Sequence, residues 1–262
     1  MISSPPALQL YTLREVLPTG RTEVLGRVAE FGYGAVEPYD VRTDPEQLRA
    51  DLDQAGLAVC SVHANVLGED DEVLLRGVRA VGGGTVIVPW APPERYADAE
   101  AIAGLAKELN QAAVKAADHG LRLGYHNHDF ELSSIIGGRT GLEVLADALD
   151  PAVILEVDTY WAAVGGQDVP ALLGRLGDRV RYLHVKDGPA ISREEDMMVA
   201  VGSGRMPVAD ILAACPSAEW HVVELDRCAT DMFTAVGDSL AWLAEHDLAR
   251  PARRSSSTGP DA

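Results

Sequence analysis

Residues 124–131 read GYHNHDFE and pack two histidines, an asparagine, an aspartate and a glutamate into one stretch. Such a run can be a divalent-metal site, an acid–base pair or a polar loop that follows a strand, and its place in the fold decides among them. Other polar residues close apolar runs elsewhere: Glu37 after "AVE", His63 and Asn65 after "AVCSV", and Trp90 after "TVIVP". Glu156 and Asp158 lie in "AVILEVDTYW" ahead of Tyr160 and Trp161. His184, Lys186 and Asp187 lie in "VRYLHVKD", and Glu224 and Asp226 in "EWHVVELD". Glu156/Asp158, His184/Lys186 and Glu224/Asp226 are each two residues apart, so on a strand each pair points to one side at different depths. Neutral imidazoles and carboxylates suit a hard or borderline divalent cation. A charge inside an apolar strand is costly unless it is paired or metal-bound. Three successive runs each carry one, and the set Asp158, His184 and Glu224 therefore points to a bound metal.

The elements that must hold these residues alternate from end to end. Strand-like runs at 7–13, 35–39, 58–64, 85–90, 121–127, 152–161, 180–187 and 219–226 alternate with helical patterns. Those helices fall near 23–32, 44–56, 70–82, 98–119, 140–150, 168–178, 207–215 and 233–246. Continuous apolar strands separated by helices imply a parallel sheet. Eight such units predict an α/β fold of the closed (β/α)8 TIM barrel type, a single domain over 1–249. A polar, Ser/Pro-rich segment at 250–262 is expected to be a disordered tail. An open doubly wound sheet would want a glycine-rich phosphate turn after the first strand, and "YTLREVLPTG" is not one. In such a barrel the strand C-termini carry the active site, so the polar residues above would ring one mouth.

Composition narrows the partners. The net charge of −18 over 262 residues disfavours nucleic acid and anionic lipid. No stretch has the length and apolarity of a membrane span, and the N-terminus lacks a basic, apolar leader pattern. Cys60, Cys215 and Cys228 fit no zinc spacing and read as reduced thiols, which with the rest predicts a cytoplasmic protein. Plainer readings stand beside the functional ones. His63 alone could be a hydrogen-bonded rim histidine, Glu37 a salt-bridge partner, Trp90 and Trp161 core, and Asp187 a loop cap.

The segments "GYHNHDFE", "LEVDTYW", "LHVKDG", "VGSGRMPVADIL" and "VVELD" resemble, in order and spacing, the sugar phosphate isomerase/epimerase superfamily of xylose-isomerase-like barrels, over about residues 8–243. The resemblance implies one divalent metal ion, Mn²⁺ first, with Mg²⁺, Co²⁺ or Zn²⁺ as alternatives. It would be held by a Glu, Asp, His, Glu set from strands five to eight. Asp158, His184 and Glu224 match the last three, but His126 stands where the first glutamate is expected. Either His126 replaces it, or Glu131 reaches back from the loop, or three protein ligands suffice. His128 matches the superfamily's substrate-acting histidine. The resemblance implies proton abstraction next to a carbonyl of a small-molecule sugar or keto-polyol, through an enediolate. His128, Glu224, His63 and Lys186 are the catalytic candidates, and Glu37, Trp90 and Trp161 the substrate contacts. The expected enzyme is an isomerase or epimerase, which returns the proton; the alternative is a lyase or dehydratase, of inosose-dehydratase or keto-glycoside-cleaving type, which loses a β-substituent. A non-catalytic sugar-binding barrel is the alternative of another class. Relatives are often dimers or tetramers, so a homo-oligomer is compatible.

Overall fold

The computed structural model describes residues 6–68, 71–249 and 252. The elements run β1 (Ala7–Gln9), α1 (Leu17–Phe31), β2 (Ala35–Glu37), α2 (Pro45–Ala55), β3 (Ala58–Val59), β4 (Val62–His63), α3 (Asp71–Ala80), β5 (Thr85–Val88) and α4 (Ala99–Asp118). They continue with β6 (Arg122–His126), α5 (Phe130–Ser133), β7 (Ile135–Ile136), β8 (Arg139–Thr140), α6 (Gly141–Ala148), β9 (Ile154–Asp158), α7 (Thr159–Val164), α8 (Val169–Leu176), β10 (Val180–Val185), α9 (Val208–Ala213), β11 (Trp220–Val223) and α10 (Met232–Glu245). Nine strands form one parallel sheet in the order β3-β2-β1-β11-β10-β9-β6-β5-β4. Its two edges, β3 and β4, are halves of one broken stave. The Cys60 N–H donates to Val36 (3.1 Å), the His63 N–H to Pro38 (2.9 Å) and the Ala64 N–H to Ile87 (2.9 Å), stitching the break on both sides. The result is a nearly closed (β/α)8 TIM barrel. Among the described residues no helix is long and apolar enough to cross a membrane.

Several elements differ from the expected pattern for local reasons. The run at 7–13 leaves the strand at Gln9, whose side-chain carbonyl accepts from the Tyr11 N–H and caps a 3-10 turn at Leu10–Leu13. The run at 152–161 ends at Asp158. That residue's Oδ1 accepts from the Trp161 N–H at 2.9 Å, so Tyr160 and Trp161 belong to α7 and not to the strand. Helix α1 starts at Leu17 with Pro18 in its first turn, earlier than position 23. The short helix α5 and the β7–β8 hairpin lie in a stretch that carries no strand or helix pattern in the sequence. The tail expected beyond 249 lies outside the described residues, apart from Ala252, whose N–H donates to Gly32 at 2.8 Å.

Inside the barrel, strand parity builds layers. Ile87, Ile154 and Tyr182 form an apolar lower plug against Trp220, beside Ala7, Ala35, Cys60 and Val222. Two residues further along the same strands stand Glu156 and His184, and two further still Asp158, Lys186 and Glu224. The interior thus passes from apolar to ionisable toward the strand C-termini, while the larger apolar core lies between strands and helices.

The long connection after β10 is organised by Asp187. Its Oδ1 accepts from the N–H groups of Gly188 (2.8 Å) and Met206 (3.0 Å), and its Oδ2 from Gly202 (2.9 Å) and Gly204 (3.0 Å). The amides of Gly202 and Gly204 in "GSGR" are therefore spent on an internal carboxylate. A Cβ on Gly204 would collide with Asp187 Oδ1, so only glycine allows this approach. Asp187→Ala should cost about 2–4 kcal/mol by leaving several amides unmet. A urea unfolding midpoint reads this, and a loss below about 0.5 kcal/mol, the range of ordinary surface substitutions, would show that water replaces the carboxylate.

Candidate active site

The deeper ionisable layer centres on Glu156, which is fully buried. Its Oε2 lies 2.6 Å from His63 Nε2, 3.1 Å from His126 Nδ1 and 3.2 Å from His184 Nε2. Its Oε1 has no hydrogen-bond partner. Glu37 lies beside it, with Oε2 accepting from Gln9 Nε2 at 2.7 Å and 2.7 Å from His184 Nε2. Burial raises the Glu156 carboxyl, but the neighbouring His184 and His63 outweigh it and hold the group well below the usual range. Glu37 moves the opposite way, raised by burial and by the charge of Glu156.

The upper layer holds Asp158, Lys186, Glu224 and Asp226. Lys186 Nζ lies 2.9 Å from Asp158 Oδ2, 2.6 Å from Glu224 Oε2 and 2.7 Å from Asp226 Oδ2. His184 Nδ1 lies 2.8 Å from Glu224 Oε2, so this one ring links the two layers. Burial would lower the lysine, yet Asp158, Asp226 and Glu224 overcome it and keep the ammonium charged. Asp158 is pushed up to about 6 by burial, with Lys186 and His184 opposing. Asp158 Oδ2 makes no hydrogen bond although the ammonium is 2.9 Å away; the contact is an ion pair without hydrogen-bond alignment.

These layers fit a divalent cation. Ligand atoms of Asp158, His184 and Glu224 all lie within 4.8 Å of one another, as do those of His63, His126, Glu156 and His184. Two buried carboxylate oxygens, Asp158 Oδ2 and Glu156 Oε1, lack hydrogen bonds. Buried carboxylates outnumber the single permanent cation, Lys186, and mixed oxygen and imidazole donors match Mn²⁺, Mg²⁺, Co²⁺ or Zn²⁺. Lys186 bridges Asp158 and Glu224, so a bound ion and the ammonium draw on the same oxygens.

A cavity of about 830 Å³ opens above, with His63, His126, His128, Trp161, Lys186 and Glu224 in its wall. His128 Nδ1 is buried without a partner. Trp90 stands at the mouth, 40% exposed, whereas Trp161 is buried with Lys186 Nζ 5.5 Å from its ring centroid.

The structure thus brings Asp158, His184 and Glu224 together with Lys186, and sets His63, His128, Trp90 and Trp161 on one cavity wall. His126 sits between layers, Nδ1 on Glu156 and Nε2 3.8 Å from Asp158. Two expected residues stand elsewhere. Glu131 is outside both donor groups: Tyr125 Oη and the His128 N–H each donate to it at 2.9 Å. It packs on the outer side of β6 because Tyr125 has the opposite parity to His126. Glu37 lies beneath the cavity, not in its wall, with its oxygens taken by Gln9, Ser61 and His184. Glu156 is not among the ligands expected from the sequence, although its parity with Asp158 and its place in an apolar strand signal it.

Comparison with known proteins places this arrangement. The family model described as "Xylose isomerase-like TIM barrel" matches residues 25–246. The inosose dehydratase of Geobacillus kaustophilus is 31% identical over 192 residues, 63% of this chain and 61% of that protein. The chain therefore matches about three-fifths of that relative's length. A sugar phosphate isomerase/epimerase from Parabacteroides distasonis superposes with a TM-score of 0.80 at 22% identity, covering 95% of this chain and 96% of that one. A xylose isomerase-like TIM barrel protein from Mycobacterium smegmatis, solved in complex with magnesium, superposes with a TM-score of 0.70 at 13% identity, covering 94% and 97%. With the family model spanning most of the chain and the barrel closed over a layered His/carboxylate centre, the protein belongs to the xylose isomerase-like TIM barrel family.

Proposed function

We propose that the protein is a metal-dependent enzyme that removes the proton next to a carbonyl of a keto-polyol and expels a β-hydroxyl, as a dehydratase. The observation that carries it is the placement of His128 in the lining of the same cavity as Lys186 and Glu224, where Glu224 also belongs to the Asp158/His184/Glu224 donor set. Relatives that share 31% identity are named inosose dehydratases, whereas the likeness to isomerase/epimerase structures is one of fold.

A divalent ion held by Asp158, His184 and Glu224, with His126 as a further donor, would supply Lewis acidity toward the substrate oxygens. Lys186 offers N–H donors beside the same carboxylates and holds the carbonyl oxygen as negative charge develops. His128, in the cavity lining, takes the α-proton. The C–H electron pair becomes the new C=C bond while the C–O bond to the β-hydroxyl breaks. His63, in the same cavity lining, donates a proton to that oxygen, so water leaves. Both imidazoles then re-equilibrate with solvent. Trp161 and Trp90 present apolar faces for the carbon skeleton.

The second reading is an isomerase or epimerase, which returns the proton to carbon instead; the fold likeness to the Parabacteroides protein favours it. One experiment addresses both. Incubation of a panel of inososes, keto-sugars, keto-sugar phosphates and keto-sugar acids with the protein and Mn²⁺ in D₂O should give loss of water, with the α-hydrogen released to solvent and deuterium entering at the former β-carbon as the enol tautomerises. Deuterium with an isomeric sugar and no water loss would move the assignment to isomerase. No exchange with any member would overturn both in favour of a binding barrel.

A further inference from the structure

The wall of the cavity has a charge opposite to that of the protein. The chain carries 40 acidic against 22 basic residues, yet four arginines, Arg14, Arg42, Arg193 and Arg227, line this cavity. With Lys186 these cations outnumber the three wall carboxylates, Asp40, Glu224 and Asp226, and Glu224 and Asp226 lie within 2.7 Å of Lys186. Two of the rim arginines, Arg14 and Arg227, differ in how they are held, whereas Arg193 pairs with Asp129 at 2.6 Å. Elsewhere arginines are paired with carboxylates, as in Arg21–Asp51, Arg95–Glu108 and Arg175–Glu143. Arg14 instead donates to the backbone carbonyls of Tyr11 (2.9 Å) and Asp226 (2.7 Å). Its carboxylate neighbour, Glu15, is 3.7 Å away and 86% exposed, where solvent screens it. Both Nη atoms of Arg227 donate to backbone carbonyls, of Glu194 at 2.7 Å and of Arg193.

Neutral carbonyls orient a guanidinium without cancelling its charge, and its five N–H donors leave several for a ligand. Because Arg14 bonds the carbonyl of Asp226, the residue before Arg227, both cations flank one backbone segment on the rim. The amides of "GSGR" are all used inside the loop, those of Gly202 and Gly204 by Asp187 and those of Ser203 and Arg205 by the carbonyls of Ala200 and Gly188. We infer that the substrate carries an anionic group, a phosphate monoester or a carboxylate, remote from its reacting carbonyl and bound by Arg14 and Arg227. This names the substrate class of the reaction proposed above and rests on that reading for its meaning, but its test needs neither metal nor turnover.

The test is calorimetric binding of three polyols without a carbonyl, glucitol, gluconate and glucitol 6-phosphate, to the full chain in EDTA at low salt. At least one anionic polyol should bind about ten-fold more tightly than glucitol, as charge-assisted bonds to arginine do. The advantage should shrink at about 0.5 M salt, where screening is short-ranged. Arg14→Gln and Arg227→Gln should each remove it without lowering the thermal midpoint or the glucitol affinity, while Arg205→Gln leaves it intact. Tighter glucitol 6-phosphate identifies a phosphate ester, and tighter gluconate a sugar acid. Equal affinities, no binding of either anion, or an advantage that survives both substitutions would overturn the proposal. Failure of the D₂O experiment with this preference intact would refute the chemistry and leave the anion site standing.

Discussion

Asp158→Asn should lower divalent-ion affinity at least about a hundred-fold, more than loss of a ligand's own hydrogen-bond partner typically costs, and abolish turnover while the barrel stays folded. Asp158 has two separable jobs. Its Oδ1 caps α7 through the Trp161 N–H, and an asparagine oxygen caps as well as an aspartate. Its Oδ2 lies 2.9 Å from Lys186 Nζ and among the donor atoms of His184 and Glu224. The substitution puts an NH₂ or a neutral oxygen there, which removes the negative charge that a cation requires. Asp158→Ala would lose both jobs, with about 1 kcal/mol from the cap alone. Comparing the two separates folding from metal binding. Isothermal titration with Mn²⁺ and metal analysis of the purified protein give the affinity, and a thermal midpoint reports the fold. If Asp158→Asn retains its ion while Glu156→Gln loses it, the cation belongs to the deeper group of His63, His126, Glu156 and His184.

Strand parity explains both what could be read in the sequence and what could not. Asp158, His184 and Glu224 were legible because each is an ionisable residue in an apolar strand, and because eight alternating units fix where such strands end. Parity says which side a residue faces but not how deep it sits. Glu37 and Glu156 share the inward side with Glu224, yet lie a layer lower, where histidines and Gln9 occupy them. Local chain chemistry hid other features. Asp158 ends its strand by capping α7, and the third stave breaks after Val59. The rim arginines come from loops after β1, β10 and β11 and from the β2–α2 connection. No periodicity marks such positions, since only closure of the barrel gathers them. Glu131 shows the converse limit: a carboxylate five residues from His126 has the reach to turn inward, but the parity of Tyr125 draws it to the outer side.

That placement gives Glu131 a thermodynamic signature: stability should fall as pH rises from about 5 to about 9, and Glu131→Gln should remove much of the slope. The side chain is fully buried, between Tyr125 Oη and the His128 N–H. Burial raises its pKa from 4.5 to about 8, against the lowering effect of its hydrogen bonds. The folded state therefore holds the proton more tightly than the unfolded chain. Between 4.5 and about 8 the native state binds more protons at this site, so the sign of the linkage is a loss of stability with rising pH. The contribution is fully present below the lower value and gone above the upper one. Each tenfold gain in proton affinity is worth about 1.4 kcal/mol, so the whole effect amounts to a few kcal/mol. Glutamine keeps the shape and an oxygen acceptor but cannot ionise, so the variant should gain on the wild type steadily across this window. Urea midpoints of both proteins at several pH values give that difference, and parallel curves would show that the carboxylate ionises in the fold without penalty. The same variant bears on the metal. With Glu131 outside both donor groups, its Mn²⁺ stoichiometry should equal that of the wild type, whereas loss of the ion would return Glu131 to the ligand set in place of His126.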